Sequence, residues 1–268
     1  MTPSQKTRIG VAGYGFIGRE LCRLIRDTPD WNLELAFVWN RDKTKLAGLP
    51  ADLPLDDLDM LASRQPDLVV ECAHPAVSVI HGAAILRAAD YLPLSVNAFA
   101  DAATEARLVA LAKAQGRRII IPHGALIGLD NLVEMREMWQ EVTITFRKNP
   151  ANIDFTDTDI NPALITTQTV VYDGPVRGIA ALFPRNVNTM TTCALATVGL
   201  DRCRAVLIAD PSLTVAIAEV RAVGKDGSLH QSRKVQPVVG VSGTEMLAAQ
   251  VGSMLRAAGV AQPGLSFA

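Results

Sequence analysis

Gly13, Gly15 and Gly18 stand in a G-x-G-x-x-G spacing, between the apolar run 9–12 and a segment in which Leu21, Leu24 and Ile25 recur at helical intervals. A strand, a tight turn and a helix need this pattern to hold a dinucleotide. Gly13 permits the turn, Gly15 lets the backbone approach a pyrophosphate, and Gly18 lets the helix lie close to the sheet. The phosphates then face the free N–H groups of the first helical turn, which begins at Phe16 and Ile17. A second strand, at 33–39, runs into Asn40-Arg41-Asp42. An acidic side chain at that strand end ordinarily accepts from the ribose 2′-hydroxyl. Asn40 stands in its place and Arg41 offers a fork suited to a 2′-phosphate, so NADP is preferred over NAD. The alternative leaves Arg41 as a solvated charge and gives the ribose to Asp42.

Proton transfer near neutral pH suits histidine, and the chain has four. His74 closes the segment Leu68-Val69-Val70-Glu71-Cys72-Ala73-His74, which reads as a buried parallel strand. Ligands of doubly wound sheets lie beyond the carboxyl ends of the strands, so Cys72, Ala73 and His74 are expected near the nicotinamide half of a cofactor. His123 follows the last strand of the first half and is the second candidate acid/base. Ser95-Val96-Asn97-Ala98 ends a further parallel strand, placing Asn97 and Ala98 against the nicotinamide ribose. His81 falls in a helix and His230 in a late strand, where both read as structural.

The elements that position these groups alternate. Helices at 76–89 and 102–115 and strands at 68–73, 92–96 and 118–121 complete a βαβ series, with a short helix at 55–63. From His123 on the rhythm changes. Strands at 142–146, 168–172, 205–208, 214–223 and 230–239, with a helix at 188–198, suggest a mostly antiparallel sheet carrying one or two helices. A last helix spans 244–257. The fold class is therefore α/β: an N-terminal Rossmann-type doubly wound parallel sheet at 1–123, a C-terminal α+β domain at 124–242, and a helix in 243–268 packing back on the first domain.

With 268 residues, 49% of them hydrophobic, the chain can bury a sizeable core. A formal net charge of -1 gives no footprint for nucleic acid or an anionic membrane. No run of 18 apolar residues and no signal-peptide core are seen, so a cytoplasmic protein is expected. Cys22, Cys72, Cys193 and Cys203 are scattered, without metal-ligand spacing or a disulfide framework, and no metal site is expected.

Six segments together carry a resemblance: Gly13-Tyr14-Gly15-Phe16-Ile17-Gly18, Phe37-Val38-Trp39-Asn40-Arg41-Asp42, the 67–75 segment ending in Ala73-His74-Pro75, Gly124-Ala125-Leu126-Ile127-Gly128-Leu129-Asp130, Tyr172-Asp173-Gly174-Pro175-Val176-Arg177, and Phe183-Pro184-Arg185-Asn186-Val187-Asn188. The chain resembles the L-aspartate dehydrogenase family, in particular its less typical aspartate dehydrogenase domain-containing members. The resemblance implies a homodimeric NAD(P)-dependent enzyme that oxidises L-aspartate to iminoaspartate, or runs the reverse amination. It also singles out Lys148, and the asparagines Asn186 and Asn188, as substrate-binding residues; Asn188 additionally reads as a helix cap. One departure stands out. The resemblance implies a catalytic histidine shortly after an Ala-Asp-Pro segment, but here Ala209-Asp210-Pro211 leads to Ala216 and Ala218, with Ala218 in the histidine position. Two readings follow: a hydride-transferring oxidoreductase acting on a small amino or imino acid, or a catalytically silent NADP(H)-binding sensor.

Overall fold

The computed structural model describes residues 5–184, 186–238 and 247–260. The described residues within 1–98, 102–122 and 245–268 form one compact unit; those within 99–101 and 123–244 form another.

The first unit holds a parallel sheet in the order β2-β1-β3-β4. Its strands are β1 (Thr7–Ala12), β2 (Leu33–Trp39), β3 (Leu68–Glu71) and β4 (Asp90–Pro93). β3 is buried at every position, as a parallel strand covered on both faces must be. α1 (Phe16–Asp27), α2 (Pro75–Ala88) and α3 (Ala102–Gln115) connect or follow these strands. α1 buries Leu21, Cys22 and Ile25, which with Ile9, Val11, Val38 and Val70 make a contiguous core. α7 (Leu247–Ala257) adds Met254 and Ala257 to that core.

The strand expected at 118–121 does not form. The chain there makes one bridge, Tyr91 with Ile119, and two backbone bonds to Tyr91. Pro122 follows with no N–H to extend a ladder. The strand expected at 92–96 lies two residues earlier, because Pro93 ends the pairing and 96–100 coils into a short 3-10 segment. The helix expected at 55–63 is likewise a 3-10 turn, Leu58–Arg64, started by Asp57 accepting from the Asp59 N–H.

The second unit is built on a five-stranded sheet in the order β6-β7-β5-β8-β9. Its strands are β5 (Trp139–Lys148), β6 (Thr169–Pro175), β7 (Arg204–Ala209), β8 (Val215–Gly224) and β9 (Leu229–Pro237). Only β5 and β7 pair in parallel. α5 (Val176–Leu182) and α6 (Asn188–Ala196) bury Val176, Ile179, Met190, Cys193 and Ala194 against Val142, Ile144, Phe146, Val220 and Ala222. α4 (Leu129–Glu134) and α5 are absent from the sequence expectations, being too short to show a helical period. The start expected for the last helix, 244–246, and the boundary expected at 242/243 lie outside the described residues, as do Val239 and Arg185.

Candidate functional site

In the first unit the glycine turn has the geometry a dinucleotide requires. Gly13 adopts φ +122°, and a Cβ there would meet the Cys72 carbonyl at 2.7 Å. A Cβ on Gly18 would lie 1.9 Å from the Gly13 carbonyl oxygen, so only glycine lets α1 start this close to β1. Gly15 is different: nothing lies within 4 Å of its hypothetical Cβ. It is the N-cap of α1, and no side chain caps the helix. The first N–H groups of α1, starting at Phe16 and Ile17, therefore have no capping side chain and lie in a field that favours an anion. Phe16 itself is about half exposed, at 48%. These features fit a nicotinamide dinucleotide's pyrophosphate.

Around the turn, Asn40 accepts from the Tyr14 N–H at 3.0 Å and donates to the Asp42 carbonyl at 2.9 Å. It thus locks the end of β2 to the glycine turn. Asp42 starts the next 3-10 turn, its Oδ1 accepting from both the N–H and the hydroxyl of Thr44, which holds its carboxyl below the usual range. Arg41 is exposed. The Cys72 thiol donates to the Gly13 carbonyl oxygen at 3.1 Å, and burial pushes its titration well up.

Glu71, the last residue of β3, is fully buried and escaped the sequence reading. Its carboxylate accepts from the N–H groups of Ala73 (2.7 Å), His74 (2.9 Å) and Ser95 (3.0 Å), and from the Ser95 hydroxyl (3.0 Å). One side chain therefore ties the exits of β3 and β4, which carry Cys72 to His74 on one side and Asn97 and Ala98 on the other. Burial pushes its carboxyl up while these four donors pull the other way. A charge inside an apolar strand was the available signal, since such a group must be fully hydrogen-bonded.

His74 caps α2: its Nδ1 accepts from the Ala76 N–H at 3.1 Å. That bond fixes the proton of the neutral ring on the exposed Nε2. Asn97 and Ala98 are both buried, in the 3-10 segment Val96–Ala100. His81 pairs with Asp59 at 2.8 Å.

The remaining sequence candidates lie in the second unit. His123 Nε2 is 3.3 Å from Asp130 Oδ1. Lys148 ends β5, its ammonium 5.2 Å from the Phe146 ring centroid. Asn186 is a staple: its Oδ1 accepts from the Asp154 N–H at 2.9 Å and its Nδ2 donates to the Asn152 carbonyl at 3.2 Å. Asn188 is the first residue of α6, not its cap; Val187 holds that position and no side chain caps the helix. Ala218 sits on β8 between Phe146 of β5 and Lys234 of β9, packed against the core. Among the described residues no group of three or more His, Cys, Asp or Glu could hold a metal.

Two family models match the chain. The family model "Homoserine dehydrogenase, NAD binding domain" matches residues 13–122, and "Aspartate dehydrogenase, C-terminal" matches 130–257. An L-aspartate dehydrogenase of Methanococcoides burtonii is 32% identical over 230 residues, 82% of this chain and 84% of that protein. The chain belongs to the aspartate dehydrogenase family. An aspartate dehydrogenase domain-containing protein of Xenopus tropicalis is 38% identical over 221 residues, 80% of this chain and 78% of its own. The crystal structure of aspartate dehydrogenase from Thermotoga maritima superposes with a TM-score of 0.74 at 26% identity, covering 98% of this chain and 99% of that one. The aspartate dehydrogenase family is one of NAD(P)-binding oxidoreductases, and the parallel sheet with its glycine turn is the dinucleotide-binding part of this member.

Proposed function

We propose that this protein is an NADP-preferring oxidoreductase that interconverts L-aspartate, or a closely related small amino acid, with its imine. The observation that carries the reading is the glycine turn: open space at Gly15, and an uncapped α1 beside it, in a chain of this family. The cofactor supplies or takes the hydride at the substrate's α-carbon. The chain must bind both molecules and move one proton. In the direction of amination, iminoaspartate takes a hydride at C2 and a proton on nitrogen to give L-aspartate.

NADP is favoured because Asp42 spends its Oδ1 on Thr44, which leaves Arg41 as the group suited to the adenosine ribose and its 2′-phosphate. His74 supports a proton-donating role, since its Nε2 carries the proton of the neutral ring; His123, beside Asp130, is the second candidate. Lys148 is assigned to a substrate carboxylate, and Asn188 to a substrate contact at the start of α6. Asn186 has both ends of its amide engaged within the protein, which favours a supporting role behind that contact. We assign the enzyme a homodimeric state from the family resemblance, and a cytoplasmic location, supported by four unpaired cysteines and by the absence, among the described residues, of a helix long and apolar enough to cross a membrane.

The test is NADPH oxidation by the purified chain with oxaloacetate plus ammonia, run in parallel with NADH. Turnover that is faster with NADPH at limiting cofactor is expected. NADPH binding without turnover, across oxaloacetate and a panel of other 2-oxo acids and cyclic imines, would instead favour the sensor reading, which rests on alanine at position 218.

A further inference from the structure

The helix-side face of the second unit's sheet changes character along β8 and β9. Residues directly opposite in antiparallel pairs share a face, with Cβ atoms about 4.5–5.5 Å apart. One such row is Val142, Ala222 and His230; the next is Ile144, Val220 and Ser232. Both pack on the core. The valines, isoleucine and Ala222 belong to it, His230 stacks edge-on against Trp139 although its buried Nε2 has no hydrogen bond, and the Ser232 hydroxyl donates to the Ile127 carbonyl.

The following rows are not closed in this way. Phe146, Ala218 and Lys234 form one, and Ala216 and Gln236 form the next. Lys148 lies two residues beyond Phe146 on the same face, its ammonium over the Phe146 ring. Ala209, the parallel partner of Lys148, Ala216 and Ala218 give a floor of small side chains. Lys234 and Gln236 are each half-buried at its β9 edge. Lys234 has no ion-pair partner among the described residues. The Oε1 atom of Gln236 is buried and receives no hydrogen bond. A buried acceptor without a donor has lost its water and gained nothing in return, so it is a place where a ligand's N–H is worth most.

Two ammonium groups and one empty acceptor around an alanine floor are complementary to an amino acid with two carboxylates. We propose that Lys234 and Gln236 are substrate-specificity residues: Lys234 pairs with the side-chain carboxylate of a dicarboxylic amino or imino acid, and Gln236 Oε1 accepts from its nitrogen. This deepens, and rests on, the oxidoreductase reading above, in which Lys148 holds the other carboxylate. Alanine at 218 is part of the arrangement, because a larger residue there would stand between Phe146 and Lys234 and fill the floor.

Equilibrium titration of the full chain tests this, with NADPH present so that no amino acid can be oxidised. The probes are L-aspartate, succinate, which lacks the nitrogen, and L-alanine, which lacks the second carboxylate. Lys234→Met should weaken L-aspartate and succinate by about tenfold or more, the scale of a lost charge-assisted hydrogen bond, and leave L-alanine within about threefold. Lys234→Arg, which keeps the charge, should restore most of the loss. Gln236→Leu should weaken L-aspartate and L-alanine but not succinate. Three results would overturn the assignment: a wild-type chain that binds none of the three, variants that bind all three like wild type, or variants that weaken all three equally. The selective pattern together with no turnover would leave the subsite standing and refute only the oxidoreductase reading.

Discussion

At the scale of single residues, the cofactor loops depend on one buried carboxylate. Glu71→Ala would remove the acceptor of three N–H groups and a hydroxyl at once, leaving them in a place where no solvent reaches the side chain. The four bonds are part-buried and each contributes about 0.5–1.5 kcal/mol net, so a loss of about 2 kcal/mol or more in unfolding free energy is expected in urea titration. Glu71→Gln retains one acceptor oxygen and should lose less. An unchanged denaturation midpoint in Glu71→Ala would refute this hub. The glycine turn was legible in the sequence because its three glycines fall within six positions, in a spacing that is itself the signal. Glu71 was not, because its four donors come from two separate chain segments, 73–74 and 95. Asn188 is no cap because α6 already begins on it, with Val187 in the cap position, while Asn186 is engaged with the 152–154 loop.

Among the elements, long periodic segments declared themselves. α3 runs over 102–115 and β2 over 33–39 as expected, α3 being rich in alanine and leucine, which favour a helix, and β2 a nearly continuous apolar and aromatic run. The segments that the pattern missed are those settled by neighbours. The 118–121 stretch has the apolar content of a strand, yet Pro122 and a single partner at Tyr91 reduce it to a bridge. α5 exists because Val176 and Ile179 find the second unit's core, which seven residues of sequence do not reveal. The 150–156 loop is held to the start of α6 by Asn186, and an element-level prediction follows. In Asn186→Ala the amides of 152–154 should exchange hydrogen faster by tenfold or more, while those of β5 keep their protection, because two hydrogen bonds of roughly 1 kcal/mol each are lost locally. Unaltered exchange at Asp154 would contradict the staple.

For the whole molecule, stability has a pH dependence that the buried thiols set. Burial in the first unit's core pushes the Cys22 thiol up from 9.0 to about 12. Between those values the unfolded chain sheds this proton and the folded chain keeps it, so folding stability falls as pH rises above 9 and its full contribution is present only below that. Wild type should therefore lose stability between about pH 8 and pH 10 more steeply than Cys22→Ala, measured by urea unfolding; parallel slopes would refute the assignment. The central claim concerns the same unit: its β1–α1 turn holds the pyrophosphate of a nicotinamide dinucleotide. Gly15→Val tests it most directly, because the protein leaves open space where the new side chain would go and the residue's φ of -87° suits any amino acid. The account predicts a melting temperature within about 2 °C of wild type and an NADPH dissociation constant raised tenfold or more, as expected when a side chain bars an anion from a helix N-terminus. NADPH binding equal to wild type in a well-folded Gly15→Val chain would contradict it.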